Sequence, residues 1–217
     1  MKKRCIPLII FLSLVLSTMA TSKDSIETVY KDGEFKSRYQ TKVRTTEIIA
    51  NEVASDLLKD FHETPLNLFN WALKDLGLQE KKKNEVIFNL KSSTTDLKTG
   101  ITHGEFDIVV PYFTTFNDVK VDAIVSKTQY VNGQMKVTAN IIYSSLLLKH
   151  ALGVLTIVPK KNNELLLITN VSIKFGWFFN IFITRKRYKS IVEWRIKKFT
   201  ENLKYECEHR QGLKVNQ

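Results

Sequence analysis

His103, Glu105 and Asp107 alternate along one stretch, so an extended backbone would point all three side chains the same way. An imidazole between two carboxylates suits a divalent-metal ligand set or acid–base work. Phe106 and Ile108 hold the opposite parity, however, and an apolar pair claims the buried face. The polar trio then turns toward solvent, and no metal site is assigned. His62 stands beside Glu63, and His150 and His209 stand alone; none has a serine or cysteine at an interpretable spacing. There is no glycine-rich phosphate loop and no paired-cysteine metal motif. Cys207 lies on the apolar face of an expected helix, where a thiol acts as a small hydrophobe more often than as a nucleophile. Asn170-Val171-Ser172 has glycosylation spacing but sits inside an expected strand. No catalytic residue and no cofactor is assigned.

Arg195 is the more informative charge. It shares a helix face with Val192, Ile196 and Phe199. Its planar fork could pair with a ligand carboxylate or phosphate. Equally, its stem could cover apolar surface while its head reaches water or a buried acid.

The elements that would carry these residues follow from periodicity. Tyr39, Thr41 and Val43 alternate with charged neighbours, which predicts a strand over 38–44. Asp32-Gly33 could turn a short hairpin before it. Ile49, Val53, Leu57 and Phe61 then recur every four residues, a helix face, with Thr46 as N-cap and Glu47 in the first turn. A second helix is expected from Thr64-Pro65, with Leu66, Phe69, Leu73 and Leu76 on one face and Gly77 ending it. From Val86 to Phe175 the period is 2, and six strands are expected. Leu152–Val158 is more uniformly apolar, as a strand buried on both faces would be. Short links leave no room for crossover helices, so the sheet should be antiparallel. Asn132-Gly133 is the strongest hairpin signal, because a two-residue turn needs positive φ at both positions. A last helix is predicted from about 185 to 208, with Tyr188, Val192, Phe199, Leu203 and Cys207 inward and Trp194 outward.

Length and composition suit one globular domain behind a removable leader. Lys2, Lys3 and Arg4 precede an apolar run from Ile6 to Leu16, and small residues follow at Thr18 and Ala20. That order is the grammar of a secretory signal peptide over 1–20, and it predicts an exported protein, periplasmic or extracellular. Residues 21–37 read as a polar arm, 38–210 as the domain and 211–217 as a tail. Cleavage would remove Cys5 and leave Cys207 alone, so no internal disulfide is expected. The formal net charge is +11. An exported location argues against nucleic acid as the reason; an anionic membrane surface and plain solvation both remain open.

The order strand, helix, helix, six antiparallel strands, long helix resembles the helix-grip fold of START-related lipid-transfer domains, polyketide cyclase-like proteins and the birch-pollen-allergen group. The Leu165–Phe175 strand, the aromatic-glycine link after it and a closing helix ending Leu203-Lys204-Tyr205-Glu206 carry the likeness over residues 38–209. The resemblance implies an α+β architecture, a curved antiparallel sheet of about seven strands wrapped around a carboxyl-terminal helix. It also implies a cavity between them for a hydrophobic or amphipathic, lipid-like molecule. On that likeness the cavity wall would be Phe106, Ile108, Val121, Ala123, Ile141, Tyr143, Leu167, Val171, Val192, Phe199 and Leu203. Arg195 and Tyr143 would orient the ligand's polar end. Periodicity does not separate such a wall from a filled core. The reading favours a binding protein; a cyclase- or hydrolase-type enzyme using the same cavity, and an envelope interaction module with a filled core, are the alternatives. Trp177, Phe178, Phe179 and Phe182 beside Arg185, Lys186 and Arg187 suit peripheral contact with an anionic membrane, or else an aromatic plug with solvated charges. Oligomeric state is open.

Overall fold

The computed structural model describes residues 26–63, 87–110, 112–145 and 148–215. The expected leader over 1–20 and the expected helix from Thr64 to Gly77 lie outside the described residues.

The chain opens with a hairpin, β1 (Glu27–Lys31) and β2 (Glu34–Arg44), followed by helix α1 (Glu47–Glu63). Six strands come next: β3 (Ile87–Asp96), β4 (Ile101–Val110), β5 (Thr114–Gln129), β6 (Met135–Ser144), β7 (Leu148–Pro159) and β8 (Glu164–Phe175). Two short helices, α2 (Trp177–Phe182) and α3 (Arg185–Tyr188), lead through a π-helical turn (Lys189–Glu193) into α4 (Trp194–Val215). The sheet order is β1-β2-β8-β7-β6-β5-β4-β3, and every neighbouring pair is antiparallel. This is the helix-grip arrangement. The sheet has eight strands, one more than expected, because residues 27–37 of the anticipated polar arm form β1 and the start of β2. At the other end, α4 continues to Val215, through most of the anticipated tail.

Turn chemistry decides the joints. Asp32 and Gly33 both take positive φ, 54° and 77°, as a two-residue hairpin turn requires. Asn132-Gly133 does not follow that pattern. Only Gly133 is left-handed, and its N–H donates to the Tyr130 carbonyl at 3.0 Å. Asn132 Oδ1 instead accepts from the Gln134 N–H at 3.1 Å, which stabilises a longer loop closed by a left-handed glycine. Thr46 caps α1 as expected, its hydroxyl accepting from Ile49 N–H at 3.3 Å.

The core lies between the concave face and the two long helices. Ile49, Val53 and Leu57 of α1 pack with Leu203 and Cys207 of α4 over Val43, Leu165 and Leu167. Polar bonds fasten α1 to its neighbours. Lys127 Nζ of β5 donates to Asn51 Oδ1 and Ser55 Oγ, both at 2.7 Å, and Arg210 of α4 reaches Asp56 at 2.6 Å.

A polar rail fixes the closing helix along β2. Ser37 Oγ and the Tyr188 hydroxyl are 2.9 Å apart, and the Tyr39 hydroxyl donates to Glu201. Thr45 Oγ1 donates to the Cys207 carbonyl at 3.3 Å. The π-helical turn makes these contacts compatible. In a straight α-helix, eight residues from Tyr188 to Ile196 leave the two side chains about 80° out of line. The wider turn reduces that offset, and both residues are buried.

Burial pushes the Tyr188 hydroxyl from its ordinary 10.0 up to about 12; the charge of Glu193 adds to this and the bond to Ser37 opposes it. Burial likewise pushes the Cys207 thiol from 9.0 up to about 12, against the pull of Arg210. The unfolded chain therefore ionises first as pH rises. Stability from both groups is complete below pH 9 and is lost between there and pH 12, Cys207 first. Each group should contribute a fall of about 1.4 kcal/mol per pH unit inside its window. Denaturant titrations across that range should give a shallower slope for Cys207→Ala than for the parent. An unchanged slope would disprove this linkage.

Candidate functional site

Small residues on the concave face leave a space that the helix does not fill. Val125, Ala139, Gly153 and Val171 are successive cross-strand partners and form one row over β5, β6, β7 and β8. The next row contains Val137, Leu155 and Thr169. At the centre of the first row stand Ala139 and Gly153, the two residues with the least to offer a helix above them. A Cβ built on Gly153 would meet only the Ala139 carbonyl, at 3.9 Å. Because the polar rail holds the helix to β2, α4 stands over these rows without collapsing onto them.

The result is a partly open cavity of about 240 Å3. The two rows form its floor, Ile196, Phe199 and Arg195 of α4 its roof, and Leu57 of α1 one side. Its wall is almost wholly apolar, and among the described residues Arg195 is the one charged residue on it. Among the described residues Thr169 brings the only hydroxyl. Thr200 donates to the Ile196 carbonyl at 2.9 Å, so the 2.7 Å bond between the two threonines has Thr169 as donor and Thr200 as acceptor. Both hydroxyl protons are thus used, and the wall has no unsatisfied donor at that point. Nearby on the helix, Glu193 Oε1 is buried without a hydrogen-bond partner among the described residues.

Three anticipated wall residues line this cavity: Val171, Arg195 and Phe199. Leu167 and Leu203 belong to the filled core under α1, and Phe106 and Ile108 are buried on β4. Val121, Ala123 and Ile141 are half-buried, and Val192 packs against the aromatic group of Phe35, Phe175, Phe179 and Tyr188. None of these lines the cavity. Tyr143 requires a correction. Ala123 pairs with Ile141, but Asp122 pairs with Tyr143, so Ile142 is an extra residue in β6. That bulge reverses the parity beyond it, and Tyr143 is 51% exposed on the convex face beside Asp122. It cannot orient a ligand in the cavity.

Sequence periodicity missed Ala139 and Gly153. The available signal was two very small residues at inward positions of paired strands, where large apolar residues are the rule.

The remaining candidates separate cleanly. His103 Nδ1 lies 2.8 Å from Asp122 Oδ1 on the convex face, and Asp107 is 3.3 Å from Lys91. Among the described residues no three His, Cys, Asp or Glu side chains gather as a metal site. Of the aromatic segment, Trp177 is exposed, but Phe179 is only 4% exposed and faces the interior, so Phe179 is part of the plug and not of a membrane-facing surface. The side chains of Phe178 and Phe182 are outside the described residues. Arg185, Lys186 and Arg187 are exposed. Trp194, expected on the outward face, is half-buried.

No protein-family model matches the chain, and no curated protein matches it. Similar solved structures share little sequence. A START superfamily protein from Mycobacterium smegmatis is 9% identical, with 80% of this chain and 97% of that chain covered and a TM-score of 0.45. An aromatase/cyclase from Streptomyces is 10% identical, with 82% and 95% covered and a TM-score of 0.45. A major latex-like protein from Panax ginseng is 10% identical, with 81% and 98% covered and a TM-score of 0.40. The helix-grip assignment rests on the strand order and the closing helix of this chain itself.

Proposed function

We propose that the protein binds a small hydrophobic or amphipathic molecule between its sheet and α4. The observation that carries this reading is the apolar cavity of about 240 Å3 with Arg195 as the one charged wall residue among those described. An apolar cavity of about 150 Å3 already takes up benzene, whereas drug-sized sites begin near about 300 Å3. The space therefore suits fused aromatic rings or one short alkyl chain better than a two-chain lipid. Transfer of the apolar part from water drives binding at roughly 25 cal/mol per Å2. Arg195 would hold a carboxylate or phosphate at the rim through its planar fork.

The enzymatic alternative gains no specific support. Acid–base chemistry needs a side chain that exchanges a proton near neutral pH, and among the described wall residues the one charged group is a guanidinium.

Naphthalene and 2-naphthoate are suitable probes. The parent protein should bind both, and the carboxylate should bind more tightly. Arg195→Met should weaken 2-naphthoate at least tenfold, since a bond to a charged group contributes about 1.5–3 kcal/mol, and leave naphthalene nearly unchanged. Failure of the parent to bind either probe in calorimetry would overturn the proposed function. Equal loss of both probes would overturn only the role of Arg195.

A further inference from the structure

One end of the molecule presents exposed rings next to a block of positive charge. Two separate segments build it. The turn between β4 and β5 carries Tyr112, 88% exposed, and Phe113, 54% exposed. Tyr112 has φ 63°, a left-handed conformation that is strained for a bulky residue. Helix α2 supplies Trp177, 73% exposed, and Ile181, 66% exposed, which stand one turn apart on one helix face.

The two segments meet through packed rings. Phe113 is 6.4 Å from Phe116, and Phe116 is 4.9 Å from Phe179 of α2, between ring centroids. Phe179 in turn packs with Phe35, Phe175 and Tyr188. A packed aromatic base therefore lies beneath the exposed rings.

Within these two segments the charge is one-sided. Arg185, Lys186, Arg187 and Lys189 are all exposed, and the chain from Gly176 to Val192 contains no aspartate or glutamate. The turn segment from 111 to 117 is uncharged. Arg185 is held over the Tyr30 ring at 5.1 Å, which fixes the basic block against the fold. Among the described residues no helix is long and apolar enough to cross a membrane.

We propose that this end docks on the surface of an anionic phospholipid membrane. Trp177, Ile181, Tyr112 and Phe113 enter the headgroup boundary, where amphipathic rings are favoured. Lys186, Arg187 and Lys189 meet the lipid phosphates. The contact is peripheral and depends on charge, so it weakens as salt rises.

The test uses the full chain with Trp71→Phe and Trp194→Phe, which leaves Trp177 as the single tryptophan. Vesicles carry brominated acyl chains, either with phosphatidylglycerol or with phosphatidylcholine alone. Trp177 fluorescence should be quenched by the phosphatidylglycerol vesicles and far less by the neutral ones. Lys186→Gln together with Lys189→Gln should lower the partition coefficient about 25-fold, roughly fivefold per charge. Should the single-tryptophan chain fold poorly by circular dichroism, hydrogen exchange on the unmodified protein reads the same contact. Amides at 112–113 and 177–181 should then gain protection with anionic vesicles. Three results would each overturn the proposal: no quenching and no protection, equal effects with both vesicles, or burial of Trp177 that grows with protein concentration in the absence of lipid. The last would identify the partner as a second copy of the chain.

Discussion

Gly153→Val should abolish most of the cavity's affinity for naphthalene and yield a protein more stable than its parent. Both effects come from one substitution because Gly153 is the centre of the cavity floor. Its φ lies outside the left-handed region, so a β-branched residue meets no backbone penalty there. Its Cβ position is open apart from the Ala139 carbonyl at 3.9 Å. Valine would put three carbons where the ligand would lie. At about 0.8 kcal/mol for each buried CH2, the ligand loses about 2.4 kcal/mol, roughly fifty-fold in affinity. Part of that apolar burial passes to the protein itself. An interior strand glycine costs about 0.5–1 kcal/mol against alanine, and the new methyl groups are buried. A gain of about 1 kcal/mol should raise Tm by about 2–4 °C. Calorimetry with naphthalene and a thermal melt decide the matter together. Unchanged affinity with raised stability would place the ligand elsewhere; a loss of stability would mean that the floor is already occupied by packed side chains.

Most of the architecture was legible because it depends on alternation and turns. Period 2 along Val119–Val125 and Leu165–Ile173, and the four-residue recurrence of Ile49, Val53 and Leu57, located β5, β8 and α1. The site was less legible because it depends on departures from those patterns. A cavity forms where a regular inward position is occupied by too small a residue, and Ala139 and Gly153 look unremarkable in a hydropathy pattern. Tyr143 was placed by extending the parity of Val137, Ala139 and Ile141, and a single extra residue, Ile142, invalidated it. A bulge has no composition of its own to announce it. Phe179 could be read either as a membrane-facing ring or as part of an aromatic plug, because a six-residue helix is too short to establish a period. Its ring is drawn inward by Phe116 and the aromatic base. The π-helical turn was equally silent in sequence. It arises because Tyr188 is tied to Ser37 while Ile196 faces the cavity, two demands that a straight helix meets poorly.

Leu57→Ala should have the opposite effect to the glycine substitution. Leu57 is 1% exposed, belongs to the main core and lines the cavity. Truncating a buried leucine costs about 2–5 kcal/mol, the higher values arising where the surroundings cannot close the void. Here α1 is held in place by Lys127 on Asn51 and Ser55 and by Arg210 on Asp56, so closure is restrained and a cost in the upper half of that range is expected. The new void joins an existing cavity. The accessible space therefore grows, and a three-ring probe such as anthracene should enter the variant better than the parent. Ligand should also restore stability by mass action, about 2.7 kcal/mol at a hundredfold excess over Kd. The thermal deficit of the variant should accordingly shrink when anthracene is added, while the parent responds more to naphthalene. If the deficit appeared without any change in ligand preference, Leu57 would be core alone, and the cavity would be bounded by the sheet and α4 without α1.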